Sequence, residues 1–205
     1  ILCPDIKIKH HMEESFKKSN SDKTIVPADD YDAMVAMRKV LFSDYYKEIN
    51  QCFNGAFFET SILCEVMLEG YDQWVPVKVR PDIITSNCIV PDYKTTSDIS
   101  VGKFERMAFN LGYWHRQVFV CDVLSAVYGK EFKPALIAQD VNAPHEVRGL
   151  NMKNPIKEDG SGVDAYGHAR DAYTEAVIKW DKCRRTDSWP SYGGGWSDMD
   201  CPNFW

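Results

Sequence analysis

The sequence lacks the signatures of several large protein classes. No apolar run approaches the ~20 residues that a membrane-spanning helix requires, and there is neither an internal repeat nor a low-complexity linker. The first residues, Ile-Leu-Cys-Pro-Asp, show no initiator Met and no basic-then-apolar signal pattern. We therefore expect one soluble domain over residues 1–205 with no membrane association, and we leave open a natural start upstream of Ile1.

Cysteine is present, but not in a pairing or zinc-binding pattern. The seven cysteines are odd in number, widely spaced and without a C-x-x-C pair, which argues against a disulfide framework and a zinc site. We interpret most of them as small buried hydrophobic residues of a protein in a reducing compartment. They are Cys3, Cys52, Cys64, Cys88, Cys121, Cys183 and Cys201.

A surplus of positive charge is also missing. The chain has 24 Lys and Arg against 30 Asp and Glu, a net charge of −6, whereas a nucleic-acid-binding protein usually carries a basic surplus. This balance argues against loose, nonspecific binding of duplex DNA. It is compatible with an enzyme that uses acidic residues for a metal ion and a local basic patch for its substrate.

The hydrophobic pattern predicts the order α-β-β-β-α-β-β-α, which is typical of a mixed α/β layer fold. The first three strands are expected to form an antiparallel meander. Asp29 or Asp30 is expected to cap the first helix, and Leu111-Gly112 to interrupt the second. The ranges are an irregular segment over 1–27, a helix over 29–50, strands over 56–68, 74–84 and 88–95, a helix over 97–128, strands over 132–139 and 146–152, a helix over 162–185 and a coil over 186–205.

The densest chemical signal is Arg80-Pro81-Asp82, followed after nine residues by Asp92-Tyr93-Lys94. In a strand, residues i and i+2 share a face, so Asp92 and Lys94 point the same way. The predicted turn between the strands brings Asp82 beside them. The spacing therefore predicts one cluster of two carboxylates and a lysine.

Such a cluster suits metal-dependent phosphoryl chemistry. A hard cation such as Mg²⁺ takes oxygen ligands, typically one or two carboxylates with substrate phosphate, and the Tyr93 carbonyl could add another. A lysine can orient the attacking water and stabilise developing charge. An isolated Asp-x-Lys is equally typical of a surface ion pair on a solvated strand edge. The complete arrangement, with a capped helix directly after it, favours a functional site.

These residues resemble the core of the PD-(D/E)XK nuclease superfamily, and more narrowly the RecE-like and lambda-type exonucleases of phage recombination. Tyr113-Trp114-His115-Arg116-Gln117 is similar to a helix in which those enzymes commonly have His-x-Gln after a tyrosine. Segments 188–192 and 201–205 resemble the family's C-terminal region, so the likeness covers roughly residues 24–205. It implies a restriction-endonuclease-like fold with a central mixed sheet flanked by helices.

The resemblance also implies the site residues. Asp82 and Asp92 would be ligands of one or two Mg²⁺ or Mn²⁺ ions, and Lys94 the catalytic lysine. Glu59 matches an acidic residue that often completes such sites, with Glu65 as its rival. Gln117 would contact the metal-bound water or the DNA; the alternative is an amide on the helix surface.

As a function, the resemblance implies an exonuclease that digests one strand of linear double-stranded DNA, 5′ to 3′. The resulting tail would serve a single-strand annealing protein in the cytoplasm of a bacterial or phage-infected cell. Relatives form rings around DNA, which implies a homo-oligomer. Two alternatives remain open: an endonuclease or repair nuclease of the same superfamily, and an inactive nuclease fold kept for binding.

The sequence departs from the family at two points. Many relatives have Gln-x-x-x-Tyr, but Cys121 stands four residues after Gln117. Relatives also carry a histidine on a helix well upstream of the first strand, whereas His10 and His11 lie in a predicted loop. Either this branch lacks that ligand or the chain is truncated. Cys183 and Cys201 stand alone, which argues against the iron–sulfur members of the superfamily.

Overall fold

The computed structural model describes residues 18–19, 21, 25–155 and 161–191. The predicted irregular N-terminal segment lies mostly outside these ranges, as does the predicted C-terminal coil after Ser191. The helices and strands confirm a mixed α/β fold; in chain order they are α1 (Ala28–Leu41), α2 (Lys47–Asn50), β1 (Phe57–Phe58), β2 (Ile62–Leu68), β3 (Tyr71–Val79), β4 (Ile83–Ile84), β5 (Ile89–Thr96), α3 (Lys103–Asn110), α4 (Tyr113–Tyr128), β6 (Lys133–Asp140), β7 (Val147–Asn151) and α5 (Ala165–Thr186). Among the helices of these ranges, none combines the length and the apolar character needed to cross a membrane.

A mixed three-stranded sheet in the order β5-β6-β7 forms the centre of the fold. β5 pairs in parallel with β6, with Asp92 opposite Leu136 and Lys94 opposite Ala138, and β6 pairs antiparallel with β7. Two parallel strands cannot be joined by a tight turn, so the chain crosses from β5 to β6 through α3 and α4. This sheet with its helices agrees with the predicted fold class.

The predicted three-stranded meander is wrong. Among the described residues, β2 and β3 pair only with each other, β4 pairs with β1, and β5 joins β6. The ladder of β3 ends at Val79, before Pro81, which has no N–H to donate. A tight turn then reverses the chain, since Thr85 N donates to Ile89 O at 3.0 Å.

The first helix also differs from its prediction. It ends at Leu41 rather than near Asn50, and Asn50 Nδ2 donates to the carbonyls of Leu41 and Ser43, each at 3.2 Å. Asp29 and Asp30 lie inside the first turn and do not cap it. The predicted interruption of the next helix is confirmed: Gly112 takes φ +71° between α3 and α4, a left-handed conformation that glycine adopts without strain.

Helix α4 is buried around most of its circumference. Towards α5, the rings of Phe119 and Tyr173 lie 4.9 Å apart, and Arg170 donates two 2.9 Å hydrogen bonds to Asp122. Towards the strands, Val120, Val123 and Leu124 pack in one cluster with residues of β2, β3 and β5. The buried residues of α4 are Gln117, Val118, Val120, Cys121, Val123 and Leu124. A helix buried on several sides is a rigid support for side chains at its N-terminal turn.

A buried amide joins α1 to the sheet. The Gln139 side chain is fully buried; its Nε2 donates to Met37 O at 2.8 Å and to His145 O at 3.1 Å. Its Oε1 accepts a 2.6 Å hydrogen bond from the Tyr93 hydroxyl. Because buried polar groups need partners, this network holds β5, β6 and α1 in one arrangement.

A buried carboxylate ties α5 to β3. Asp181 accepts hydrogen bonds from Arg184 at 2.7 Å, Arg185 at 2.6 Å and the Tyr71 hydroxyl at 2.9 Å. Arg185 also donates to Trp74 O at 3.1 Å. Burial by itself would raise the pKa of Asp181, but the hydrogen bonds from Arg185, Arg184 and Tyr71 outweigh it and lower the pKa to about 2.

The low pKa of Asp181 predicts a pH-dependent contribution to stability. A carboxyl whose folded-state pKa lies below its unfolded value of ~3.9 stabilises the fold above that value and loses the effect as pH falls towards 2. The difference in urea midpoint between wild type and Asp181→Asn should therefore be largest at neutral pH and shrink between about pH 4 and 2. Asp171→Asn, exposed on the same helix, is the control. A difference that stays constant with pH would refute this role.

Candidate active site

The structure brings Asp82, Asp92 and Lys94 together at one edge of β5. Asp92 and Lys94 share a face of the strand, and the Lys94 ammonium forms an ion pair with Asp92 Oδ2. Asp82 lies in the segment between β3 and β4, and its Oδ2 accepts a 3.0 Å hydrogen bond from Tyr93 N. The Tyr93 N–H of β5 thus positions the carboxylate of Asp82, which lies in the connection between β3 and β4.

The Tyr93 carbonyl lies on the same edge. The N–H and C=O of one strand residue point to the same side of the strand. Since the Tyr93 N–H donates to Asp82, the Tyr93 carbonyl also faces the side on which Asp82 lies. Within the described ranges β5 pairs with β6 alone, which leaves this side without a strand partner. Lys94 Nζ lies 3.5 Å from the carbonyl oxygen. Two carboxylates and a carbonyl therefore converge.

Two further residues of α4, Tyr113 and Arg116, belong to the site, although no role was predicted for them. Arg116 Nη2 lies 3.5 Å from Asp92 Oδ1 and 4.0 Å from Asp82 Oδ1. The Tyr113 ring centroid lies 5.3 Å from Lys94 Nζ, within the range of a cation–π contact. The sequence does contain one signal that these two residues act at the same place. Tyr113 and Arg116 are three residues apart, and residues i and i+3 share a helix face.

Gln117 is buried rather than on the helix surface, so that alternative is wrong. Its Nε2 donates to Ala135 O at 3.3 Å, and Ala135 is the β6 partner of Pro91. The amide therefore holds α4 against the two parallel strands directly behind the site. A contact with water or DNA stays a prediction. Cys121, one turn later, packs in the core, and burial raises the pKa of its thiol to about 12.

Glu59 lies close to Asp82 through its backbone, but not through its carboxylate. Glu59 N donates to Asp82 O at 3.0 Å, whereas Glu59 Oε2 pairs with Arg80 Nε at 2.8 Å, and both side chains are more than half exposed. Its rival Glu65 is exposed on β2. Among the residues that the structure describes, no group of three His, Cys, Asp or Glu side chains is placed to hold a metal ion. His10 and His11 lie outside them.

The Asp92 carboxylate is buried and lies between two cationic side chains, those of Lys94 and Arg116. Its side chain is only 4% exposed, and burial raises the pKa of its carboxyl, with Lys94 and Arg116 opposing this effect and Asp82 adding to it. Apart from the ion pair with Lys94, no hydrogen bond from the described residues reaches the buried Oδ2. A hard divalent ion bound by Asp82, Asp92 and the Tyr93 carbonyl, with water and phosphate completing its shell, fits this set.

Comparisons with known proteins identify a family and a similar fold. The model of the family described as "PDDEXK-like domain of unknown function (DUF3799)" matches residues 5–199. A solved structure from Eubacterium rectale, whose assignment as an exonuclease is itself provisional, is similar in fold, with a TM-score of 0.56 at 12% identity over 85% of this chain. This chain spans 62% of the length of that protein.

Two other comparisons add little. The solved structure of SSO0001 aligns with a TM-score of 0.36 at 18% identity, over 83% of this chain and 69% of that one. This similarity is too low to support an argument about the fold. No curated protein matches the sequence.

The buried, poorly satisfied Asp92 leads to a prediction about stability. A carboxyl with a raised folded-state pKa destabilises the fold at pH values above that pKa. Asp92→Asn removes this cost but also removes the ion-pair partner of Lys94. The free energy of unfolding at pH 7 should therefore change little in the absence of metal, and binding of Mn²⁺ or Ca²⁺ should weaken.

Urea unfolding at pH 7 and calorimetric titration of the cation check both effects. Asp72→Asn, an exposed change on β3, is the control. A marked fall in the stability of Asp92→Asn would mean that Asp92 has a structural role instead.

Proposed function

Because this chain belongs to the family of PDDEXK-like domains, we propose that it is a metal-dependent deoxyribonuclease that hydrolyses phosphodiester bonds of linear double-stranded DNA. The observation that carries the proposal is the convergence of Asp82, Asp92, Lys94 and the Tyr93 carbonyl on one open strand edge. This set combines oxygen ligands for a hard cation with a lysine beside them.

In this proposal Asp82, Asp92 and the Tyr93 carbonyl hold Mg²⁺ or Mn²⁺, as one or two ions. When bound, the cation polarises the phosphoryl oxygen and lowers the pKa of a water ligand. Lys94 donates a hydrogen bond to the attacking water and stabilises the charge that develops as the P–O bond to the leaving oxygen breaks. The Tyr113 ring and the ion pair with Asp92 keep the Lys94 ammonium at this place.

An exonuclease acting 5′ to 3′ is the specific activity we favour. The likeness of the motif and of segment 113–117 to RecE-like and lambda-type exonucleases supports it, and the provisional assignment of the Eubacterium rectale protein points the same way. An inactive binding module is disfavoured by the intact trio Asp82, Asp92 and Lys94. The proposal includes a cytoplasmic role in recombination, a single-strand annealing protein as partner and a ring-shaped homo-oligomer.

Digestion of three forms of DNA tests the proposal. With Mg²⁺ or Mn²⁺, we expect the purified protein to degrade linear duplex and leave a covalently closed circle intact, and 5′ label should be released before 3′ label. Digestion of a nicked circle would show that a single-strand break is enough for the enzyme to begin degradation. Asp92→Asn prepared in parallel controls for contaminating nuclease. Cleavage of the closed circle would identify an endonuclease, and inactivity on every form would favour the binding module.

Lys94→Ala separates catalysis from metal binding. Loss of one stabilising donor at the reacting phosphate should lower single-turnover cleavage by ~10²–10³-fold. Affinity for the cation should not fall, since Lys94 and the cation repel each other. Ca²⁺ should bind without supporting cleavage, because its looser coordination positions water poorly. Lys78→Ala, an exposed change on β3, is the control. A wild-type rate for Lys94→Ala would exclude the catalytic role.

A further inference from the structure

Arg116 occupies the place from which both carboxylates of the site can be neutralised. Its Nη2 lies 3.5 Å from Asp92 Oδ1 and 4.0 Å from Asp82 Oδ1, while Lys94 pairs with the other oxygen of Asp92. Two carboxylates thus face two cationic side chains, and their formal charges cancel. A divalent ion added to this group would leave an excess of positive charge.

The two cationic side chains are held very differently. Lys94 is 18% exposed and is fixed by its ion pair and by the Tyr113 ring. Arg116 is 51% exposed, and its distances to the carboxylates are at or beyond the limit of a hydrogen bond. When a cation enters, Arg116 is therefore the side chain that can leave.

Other arginines of the chain show what a firmly held guanidinium looks like here. Arg170 donates two 2.9 Å hydrogen bonds to Asp122, and Arg184 approaches Asp181 to 2.7 Å. Paired hydrogen bonds of this kind are the strong arginine–carboxylate contacts. Arg116 makes none of these, so its contact with the site is mainly electrostatic.

We propose that Arg116 is a displaceable counter-ion, which neutralises Asp82 and Asp92 until a divalent cation binds and then transfers to a phosphate of the DNA. The proposal rests on the nuclease function above. A guanidinium binds phosphate with two parallel hydrogen bonds, and Arg116 projects from the helix face that carries Tyr113 towards the same strand edge. The ligand that it takes up is a phosphodiester adjoining the one that is cleaved.

This exchange makes metal and DNA binding cooperative. DNA that draws Arg116 away frees the carboxylates for the cation, and by linkage the cation must favour DNA to the same degree. Arg116→Met, which keeps an unbranched apolar side chain but removes the charge, should remove the part of this coupling that runs through the exchange of Arg116. Arg116→Lys keeps the charge but lacks the planar guanidinium that donates two parallel hydrogen bonds to a phosphate.

The test is calorimetric titration of Ca²⁺ into wild type and variants, alone and with a short DNA duplex that is checked for integrity afterwards. A unit charge and a divalent cation about 4 Å apart in a water-like environment repel each other by an energy that corresponds to roughly a thirtyfold change in affinity. Without DNA, Arg116→Met should therefore bind Ca²⁺ up to about thirtyfold more tightly than wild type, and Arg116→Lys should resemble wild type. Arg106→Met, an exposed change on α3, should have no effect.

With DNA, the Ca²⁺ affinity should rise most in wild type, less in Arg116→Lys and least in Arg116→Met, where only the direct contact between phosphate and cation remains. The inference is overturned if Arg116→Met binds Ca²⁺ no more tightly than wild type, or if DNA strengthens binding equally in both. If wild type cleaves linear DNA with Mg²⁺, such a result leaves the nuclease proposal standing. A wild type that neither binds Ca²⁺ nor cleaves DNA overturns both.

Discussion

The site depends on the edge that β5 leaves free when it pairs with β6. Because these strands are parallel, the chain must cross between them through α3 and α4, and this crossover delivers Tyr113 and Arg116 to the same edge. On the free side, the Tyr93 N–H has no ladder partner among the described residues and is bound by Asp82 instead. The parallel pairing of β5 with β6 thus brings residues of three separate segments of the chain together.

Two buried aspartates show how surroundings decide what a carboxylate does. Asp181 is enclosed by close hydrogen bonds from two arginines and a tyrosine, which lower its pKa despite burial. Asp92 is also buried, but its cationic partners do not offset burial, and its pKa is raised. The first arrangement is complete and ties α5 to β3. In the second, the cationic partners neutralise the formal charge but do not outweigh burial, a kind of pKa perturbation that is common at functional sites.

Part of this architecture could be predicted from local pattern. The alternation of side chains along a strand placed Asp92 and Lys94 on one face, and Gly112 marked the break between α3 and α4. The meander could not be predicted correctly, because alternation identifies strands but does not say which strands pair. Beyond the end of α1, the Leu41 carbonyl accepts a hydrogen bond from the Asn50 side chain, a contact that forms only after the chain has turned back and that local pattern does not reveal.

The sequence by itself determined the mixed α/β class and the grouping of Asp82, Asp92 and Lys94, since a strand followed by Pro-Asp, an Asp-x-Lys strand and a following helix can be recognised from local spacing. The tertiary structure alone decided that Arg116 faces the two aspartates, that Gln117 is buried against β6 and that the Glu59 carboxylate pairs with Arg80. The physical reason is that spacing along the chain fixes the direction of a side chain within its own element. Which charge it meets, and how much water remains around it, depends on how that element packs against others.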